Sequence, residues 1–148
     1  MRKLRHLFLA LSLGLAAGAA LAADEPGPRP SADLAKARTL IEQKDWNAAI
    51  GELERQARRD PKSADVQNLL GYSYRNAGQV DKAFTAYDNA LRLDPNHKGA
   101  HEYIDVAYLL AKKPEKANEH LAKLKAICGG ENCEEYQDLA KAIAAYKP

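Results

Sequence analysis

The chain has 148 residues, a length typical of one domain, and a formal net charge of +2 from 22 basic and 20 acidic residues. Residues 1–22 hold three of those basic residues and no acidic one, so the rest of the chain carries a formal charge of −1. A near-neutral domain argues against nucleic acid as the main partner, because that binding depends on clustered lysine and arginine at the phosphates.

Residues 1–22 have the order of a secretory signal peptide. A basic start, MRKLRH, precedes the uncharged run LFLALSLGLAAGAALAA, and Ala20-Leu21-Ala22 fits a cleavage site. We therefore expect a periplasmic or secreted mature protein without stable membrane insertion after cleavage. The alternative is an uncleaved anchor, but the run is rich in alanine and glycine and short for spanning a bilayer.

A short linker at residues 23–32 is predicted next, because DEPGPRPSA holds three prolines and one glycine. From Asp33 onward, apolar residues and alanines recur at three- and four-residue intervals, without β-branched runs or strand alternation. The sequence therefore predicts an all-α domain over residues 33–148. The predicted helices lie at 32–43, 46–58, 64–77, 80–93, 98–111, 114–127 and 134–146.

The helical region repeats with a period of 34 residues. Its most regular copy includes LLGYSYRNAGQVDKAFTAYDNALRLDP, residues 69–95. Three copies in register indicate a row of similar helix pairs that bury their apolar faces against one another. The aligned columns are Leu40, Tyr74 and Tyr108; Trp46, Val80 and Pro114; Ala49, Ala83 and Ala117; Leu53, Tyr87 and Leu121; and Pro61, Pro95 and Gly129.

These columns resemble the tetratricopeptide repeat (TPR), most clearly in the middle copy through Leu70-Gly71, Tyr74, Ala83 and Tyr87. The resemblance implies a TPR-like α-solenoid with three helix hairpins at about 30–63, 64–97 and 98–130. It also implies a capping helix at 134–146 that covers the apolar end of the stack. In such proteins the first helix of each repeat lines a concave groove.

Several local signals are expected to bound the helices. Asp45 and Ser63 stand where an N-cap side chain accepts a hydrogen bond from the first turn. Gly78 suits the left-handed turn between the helices of the middle pair, and Pro114 suits the first turn of the sixth helix.

Two departures from the repeat pattern carry expectations of their own. Lys36 and Ala37 replace Leu70 and Gly71 in the first copy, so this end is expected to be frayed or solvent-facing. Asp105 occupies the Gly71 column in the third copy, where a carboxylate needs a partner or a splayed helix pair.

Cys128 and Cys133 are the two cysteines, and an even count in an exported chain favours a disulfide. Closing this short loop would stabilise the domain by about 2 kcal/mol. The alternatives are a redox-active or metal-handling pair, which the four-residue spacing disfavours, and two free thiols. The run Cys133-Glu134-Glu135-Tyr136 resembles small exported bacterial TPR proteins with a cysteine pair near the C-terminus, and it implies no activity.

No pattern of catalytic residues is recognisable, so the chain is predicted not to be an enzyme and to use no cofactor. The sequence has no G-x-S-x-G, P-loop, G-x-G-x-x-G or C-x-x-C-H motif. His97 and His101 have a spacing compatible with metal ligands. Neither they nor His120 belong to an H-E-x-x-H motif, and no metal site is predicted.

The candidate binding site is the stripe that the first helices leave after packing. In the middle copy this stripe is Asn68, Tyr72, Arg75 and Asn76, whose amide and guanidinium groups suit an extended peptide backbone. The alternative is an ordinary solvated face. The positions equivalent to the middle-copy stripe are Leu34, Arg38, Ile41 and Glu42 in the first copy and Glu102, Val106, Leu109 and Leu110 in the third.

The apolar part of the third-copy stripe is expected to be covered by the terminal helix or by a ligand. TPR proteins that hold a C-terminal carboxylate use a specific Lys/Asn/Arg set. Leu34 and Glu102 match that set poorly, so this activity is not expected here.

The sequence thus predicts an exported, non-enzymatic adaptor or assembly factor that binds a peptide or protein through its concave face. The alternative function is a periplasmic thiol or metal carrier that uses Cys128 and Cys133. Self-association through the ends of the stack is a further possibility, and the sequence does not identify a partner.

Overall fold

The structure, a computed structural model, describes residues 34–147, and the predicted signal peptide and linker lie outside the described residues. Within residues 34–147 every element of regular structure is a helix, which confirms the predicted all-α fold. None of these helices is long and apolar enough to cross a membrane. They are α1 (Ala35–Glu42), α2 (Trp46–Arg59), α3 (Ala64–Asn76), α4 (Val80–Leu93), α5 (Lys98–Leu110), α6 (Pro114–Ile127) and α7 (Glu134–Ala145).

The helices form three hairpins, α1 with α2, α3 with α4 and α5 with α6, and each hairpin also packs against the next. Helix α7 lies against both α5 and α6, and its Leu139 is fully buried. The result is a row of hairpins whose last member is covered by a single helix. This arrangement places α1, α3, α5 and α7 where their side chains meet along one side of the row.

The predicted helix boundaries have the expected local causes. Asp45 caps α2 and Ser63 caps α3, because each side chain accepts the amide N–H three residues further on, at 3.1 Å and 3.2 Å. Pro114 is the first residue of α6, where its missing N–H has no intrahelical partner to lose.

Residues that are 34 positions apart in the sequence also have similar environments in the structure. Ala49, Ala83 and Ala117, one in the second helix of each hairpin, are each fully buried. Two apolar clusters follow from this register, one between the first two hairpins and one between the last two. The first contains Ala37, Ile50, Leu53, Val66, Leu69, Leu70 and Ala86, and the second contains Ala83, Tyr87, Ile104 and Ala107.

Helices α3 and α4 approach most closely where Gly71 faces Tyr87. A Cβ built on Gly71 would lie 2.5 Å from both Cδ1 and Cε1 of Tyr87, and the tyrosine is fully buried. Such a distance is shorter than any van der Waals contact, so this pair of residues sets the spacing of the middle hairpin.

The first hairpin closes at the same position with different residues. Ala37 and Leu53 occupy the columns of Gly71 and Tyr87, and both are fully buried. The expectation of a frayed, solvent-facing start is therefore wrong for Ala37, because the smaller leucine leaves room for its methyl group. Lys36 is exposed as expected, and its ammonium lies 3.1 Å from the buried carboxylate of Glu52.

All three hairpins turn through a residue with left-handed backbone. Gly78 has φ 77°, which confirms its predicted role, and Lys44 and Lys112 occupy the same column with φ 58°. A residue with a Cβ is strained in this conformation by about 1–2 kcal/mol. Two of the three turns are therefore built with a residue that the conformation disfavours.

Replacing either lysine by glycine is expected to stabilise the domain by about 0.5–1 kcal/mol. Relief of the left-handed strain exceeds the larger conformational entropy that glycine adds to the unfolded chain. Urea unfolding of Lys44→Gly and Lys112→Gly measures the gain. The control is Lys141→Gly in the exposed face of α7, which should lose about 1 kcal/mol. A loss of stability in both turn variants would contradict the assignment of strain.

Candidate functional site

The predicted stripe lies in a groove lined by the first helices and by α7. Two adjoining cavities make up this groove, and they share Arg38, Leu69 and Tyr103. The polar cavity, of about 240 Å³, is lined by Arg38, Asp65, Asn68, Leu69, Gly99, Glu102, Tyr103, Glu134, Glu135 and Asp138. The aromatic cavity, of about 210 Å³, is lined by Arg38, Ile41, Glu42, Leu69, Tyr72 and Tyr103.

Aromatic rings form the floor of the groove. The ring centroids of Trp46 and Tyr72 are 6.1 Å apart, and those of Tyr72 and Tyr103 are 5.1 Å apart. The guanidinium carbon of Arg75 lies 5.2 Å from the Tyr72 centroid and 5.9 Å from that of Tyr103. The planes of Tyr72 and Tyr103 are inclined by 53°, so the two rings form an angled aromatic surface against which the half-buried arginine is held.

Asn68 stands in the wall of the polar cavity with an unused acceptor. It is 6% exposed, and its Oδ1 has no hydrogen-bond partner among the described residues. A Cβ on Gly99 would lie 3.1 Å from Asn68 Nδ2, so the glycine gives the amide its space. An unpaired buried amide oxygen costs free energy, which a donor from a bound peptide would recover.

Carboxylates line the opposite wall of the polar cavity. Glu102 of α5 faces Glu134, Glu135 and Asp138 of α7 across it. Burial raises the pKa of Glu102 to about 7, reinforced by the negative charges of Asp138 and Glu135 and opposed by Arg75. This wall therefore carries an excess of negative charge.

The remaining stripe residues divide between packing and solvent. Val106 is half-buried, Leu109 is 7% exposed and Leu110 is 64% exposed. Together with Ala142, Ala145 and Tyr146 they line an apolar cleft of about 440 Å³ between α5 and α7, so α7 covers this end of the stripe only in part. Asn76 is exposed, and its Nδ2 donates to the Tyr72 carbonyl of its own helix at 2.8 Å.

Cys128 and Cys133 lie within disulfide-bonding distance, with their Cα atoms 5.9 Å apart. This Cα separation is ordinary for a disulfide. The pair joins the end of α6 to the start of α7, and a carboxylate oxygen of Glu135 lies within 4.8 Å of the sulfurs.

The histidines that share a metal-ligand spacing have separate roles. His97 is the N-cap of α5, since its Nδ1 accepts the Ala100 N–H at 3.1 Å, and its Nε2 lies 3.0 Å from Asp65. His101 is buried with His120, and their Nδ1 atoms are 3.1 Å apart.

Proton positions in the buried histidine pair follow from a carbonyl. His101 Nε2 lies 2.9 Å from the carbonyl of Pro95, which only accepts, so Nε2 carries the proton. His101 Nδ1 then accepts from the Nδ1–H of His120. Burial lowers the pKa of His101, and burial together with Lys123 lowers the pKa of His120 to about 4. Both rings are therefore neutral at pH 7.

Asp105 is fully buried beside this pair. Its Oδ1 lies 3.6 Å from His120 Nδ1, and neither of its carboxyl oxygens has a hydrogen-bond partner among the described residues. Burial raises the pKa of Asp105 to about 9, an effect that Lys123 opposes. The carboxyl group is therefore protonated and neutral at pH 7. It avoids the cost of a buried charge in this way, without the partner that the sequence predicts for it.

Sequence reasoning missed several residues of the groove. Tyr103 and its column equivalent Leu69 both line the groove, but their column lies outside the predicted stripe. The acidic residues of α7 belong to the helix that the sequence predicts as a cap, and no binding role is predicted for them. The sequence signal for an acidic wall is the clustering of three acidic residues in the first turn and a half of α7, namely Glu134, Glu135 and Asp138.

Comparison with known proteins gives a consistent picture. The family described as "Tetratricopeptide repeat" matches residues 34–98 and again residues 68–131. A curated protein of Oryza sativa subsp. japonica, "DnaJ protein P58IPK homolog A", is 31% identical over 101 residues. That match covers 68% of this chain and 21% of the relative, so the chain spans about a fifth of the relative's length.

Solved structures share the helical architecture. "MamA MSR-1 C2" has 26% identity and a TM-score of 0.58, covering 63% of this chain and 53% of that one. A chain of the "APC/C hetero-tetramer Cut9-Hcn1" has 26% identity and a TM-score of 0.64, covering 73% and 22%. The "TPR2AB-domain:pHSP90-complex of yeast Sti1", at 17% identity and a TM-score of 0.63 over 74% and 44%, shows the fold alone.

Proposed function

Since the chain belongs to the tetratricopeptide repeat family, we propose that it is an interaction module whose groove binds a peptide or a protein segment. The observation that carries the proposal is the composition of the groove. Two contacting tyrosine rings with a guanidinium packed against them lie beside a buried amide that has an unused acceptor. Such groups bind an extended backbone and its side chains, and they make no acid–base or nucleophilic constellation.

The proposed cellular setting is the envelope or the outside of the cell. This part of the proposal depends on the signal-peptide pattern of residues 1–22. In that setting the protein would act as an adaptor or assembly factor, holding one component of a complex while others join. Its partner is a protein, and the module itself is proposed to carry no catalytic activity.

Cys128 and Cys133 are assigned a structural role within this proposal. A bond between them fixes the end of α6 to the start of α7, the helix that supplies one wall of the groove. The competing function, a thiol or metal carrier, requires free sulfurs. Titration of the thiols in the unreduced protein separates the two functions, because a carrier would react without added reductant.

Alanine substitution at Asn68, Tyr72 and Arg75 together is expected to abolish capture of the physiological partner. Removing the buried amide, the ring and the guanidinium takes away the central contacts, and losses of 2 kcal/mol or more, about 30-fold, are typical of such positions. The measurement is a pull-down from the envelope fraction, with bound proteins identified by mass spectrometry.

The matched control is the triple alanine variant at Thr85, Asn89 and Arg92, which lie on α4 away from the groove. Arg75→Gln provides a milder groove variant that removes only the guanidinium and keeps Asn68 and the Tyr72 ring. Circular dichroism establishes that each variant is folded before capture is compared. Retention of every partner by the groove variants would show that the binding site is elsewhere.

A further inference from the structure

We propose that the polar cavity receives a lysine or arginine side chain, so that the groove selects positively charged segments. This inference rests on the proposed function and adds to it the chemistry of the partner. It depends on the charges around the cavity, on the unpaired amide in its wall and on its size.

Four of the five carboxylates that line the cavity form no ion pair within the described part of the chain. None of the ion pairs among residues 34–147 involves Glu102, Glu134, Glu135 or Asp138. Asp65 is engaged with His97 at 3.0 Å. A cation that enters the cavity therefore meets several carboxylates at once.

Two arginines lie near the same carboxylates. Arg75 is held over the rings of Tyr72 and Tyr103, and Arg38 lines the cavity from the exposed face of α1. Arg75 also acts on Glu102, but the lining of the polar cavity has five carboxylates and a single arginine, so it carries an excess of negative charge. This excess of negative charge favours a positively charged segment.

Asn68 supplies an observation that does not depend on charge. It is 6% exposed in the wall of the polar cavity, with Oδ1 unpaired among the described residues. A lysine ammonium or an arginine guanidinium carries only donors, and so satisfies an amide oxygen and carboxylates together. A negatively charged side chain would leave the amide oxygen and the carboxylates without donors.

The size of the cavity indicates a side chain and not a small molecule. Its volume of about 240 Å³ lies below the roughly 300–1,000 Å³ typical of small-molecule pockets. One long side chain with its backbone in the adjoining aromatic cavity would occupy the groove. The ring of Tyr103, which lines both cavities, offers the apolar contact that the methylene groups of lysine or arginine need.

Binding should strengthen as the pH rises through 7. The charged groups that face Glu102 are Arg75 of α3, Glu134, Glu135 and Asp138 of α7, and Arg38 across the cavity. A bound cation favours ionised Glu102, so below pH 7 binding must first displace its proton. Between pH 8 and pH 6 the affinity should fall by up to about tenfold. Tenfold is the limit because only the proton of Glu102 is displaced, and at one pH unit below a pKa near 7 about one tenth of the group is ionised.

The test uses the purified domain with acetyl-(Ala-Lys)4-amide as the probe and calorimetry as the measurement. The double variant Glu102→Gln/Asp138→Asn should bind at least about tenfold more weakly, the equivalent of one desolvated charge pair. The control Asp88→Asn/Glu119→Gln likewise removes two carboxylates, from α4 and α6, and should stay within about twofold. Acetylation of the probe lysines should remove binding to all forms.

Equal losses in the two double variants would overturn the inference, because they would show attraction to net charge alone. Equal binding of the acetylated probe would also overturn it. The pull-down distinguishes this failure from failure of the proposed function. Suppose that the physiological partner is lost by the Asn68/Tyr72/Arg75 variant and yet retained by Glu102→Gln/Asp138→Asn. That result would contradict selection of a positive charge by the polar cavity, and the assignment of the groove as the binding site would stand.

Discussion

Gly71→Ala is expected to destabilise the domain by about 3 kcal/mol, although it adds only a methyl group and alanine favours a helix. The added Cβ would lie 2.5 Å from two ring carbons of Tyr87 and 2.8 Å from Cζ. The tyrosine is fully buried, so the ring has no space to withdraw. Overpacking of this kind forces helices apart and typically costs 1–3 kcal/mol.

A second substitution should rescue most of this loss. The first hairpin has alanine and leucine in these two columns, and both residues are fully buried. Gly71→Ala/Tyr87→Leu reproduces that pair in the middle hairpin. Tyr87→Leu alone leaves a cavity, but it also removes a buried hydroxyl with no hydrogen-bond partner among the described residues.

Urea unfolding of the four members of this double-mutant cycle gives the coupling free energy. We expect the double variant to be less destabilised than the sum of the single variants by about 2 kcal/mol. Additive losses would mean that Gly71 is needed for some reason other than the ring that it faces.

Asp105→Asn is expected to stabilise the domain by about 2–4 kcal/mol at pH 7. Burial raises the pKa of Asp105 to about 9, against 3.8 when exposed, so the folded state must hold a proton that the unfolded state has released. Each pH unit above 3.8 then costs on the order of 1.4 kcal/mol of stability until the folded pKa is reached. Asparagine has nearly the same shape and no proton to lose.

The pH dependence distinguishes this effect from a simple change of packing. For a carboxyl whose pKa is raised by folding, stability is fully present below pH 3.8 and is lost as the pH rises toward 9. The buried histidines act in the opposite direction, since their lowered pKa values cost stability as the pH falls below 6.5. The advantage of the asparagine variant should therefore grow between pH 6 and pH 8.5.

Glu52→Gln is the matched control for this prediction. Glu52 is also buried, but Lys36, Gln56 and Arg55 bond to its carboxylate, and Lys36 contributes most to lowering its pKa. Its amide variant should lose stability at neutral pH, because the ion pairs and hydrogen bonds lose their negative partner. An Asp105→Asn variant that loses stability in the same way would show that the carboxylate is ionised in the folded protein.

The fold could be predicted from the sequence because its determinants are local and periodic. Capping by Asp45 and Ser63 and the left-handed turn at Gly78 each depend on a few neighbouring residues. The 34-residue register then repeats the environment, so Ala49, Ala83 and Ala117 are buried alike. The expectation for Ala37 was wrong because it treated one column alone, whereas packing depends on the sum of two side chains.

The groove could be predicted only in part. Asn68, Tyr72 and Glu102 line it, as the spacing within α3 and α5 suggested. Asn76 points to solvent and bonds to its own helix, because a stripe on a helix surface is wider than the part that faces a neighbouring helix.

The sequence by itself determined the helices, their register and the side of the stack that stays available. Those properties repeat along the chain and need no knowledge of distant contacts. Tertiary structure alone decided the charge of the groove, because the α6–α7 connection breaks the 34-residue period and the packing of α7 brings its carboxylates opposite Glu102. It likewise decided the protonation of Asp105, since desolvation arises from surrounding atoms that only the assembled stack supplies.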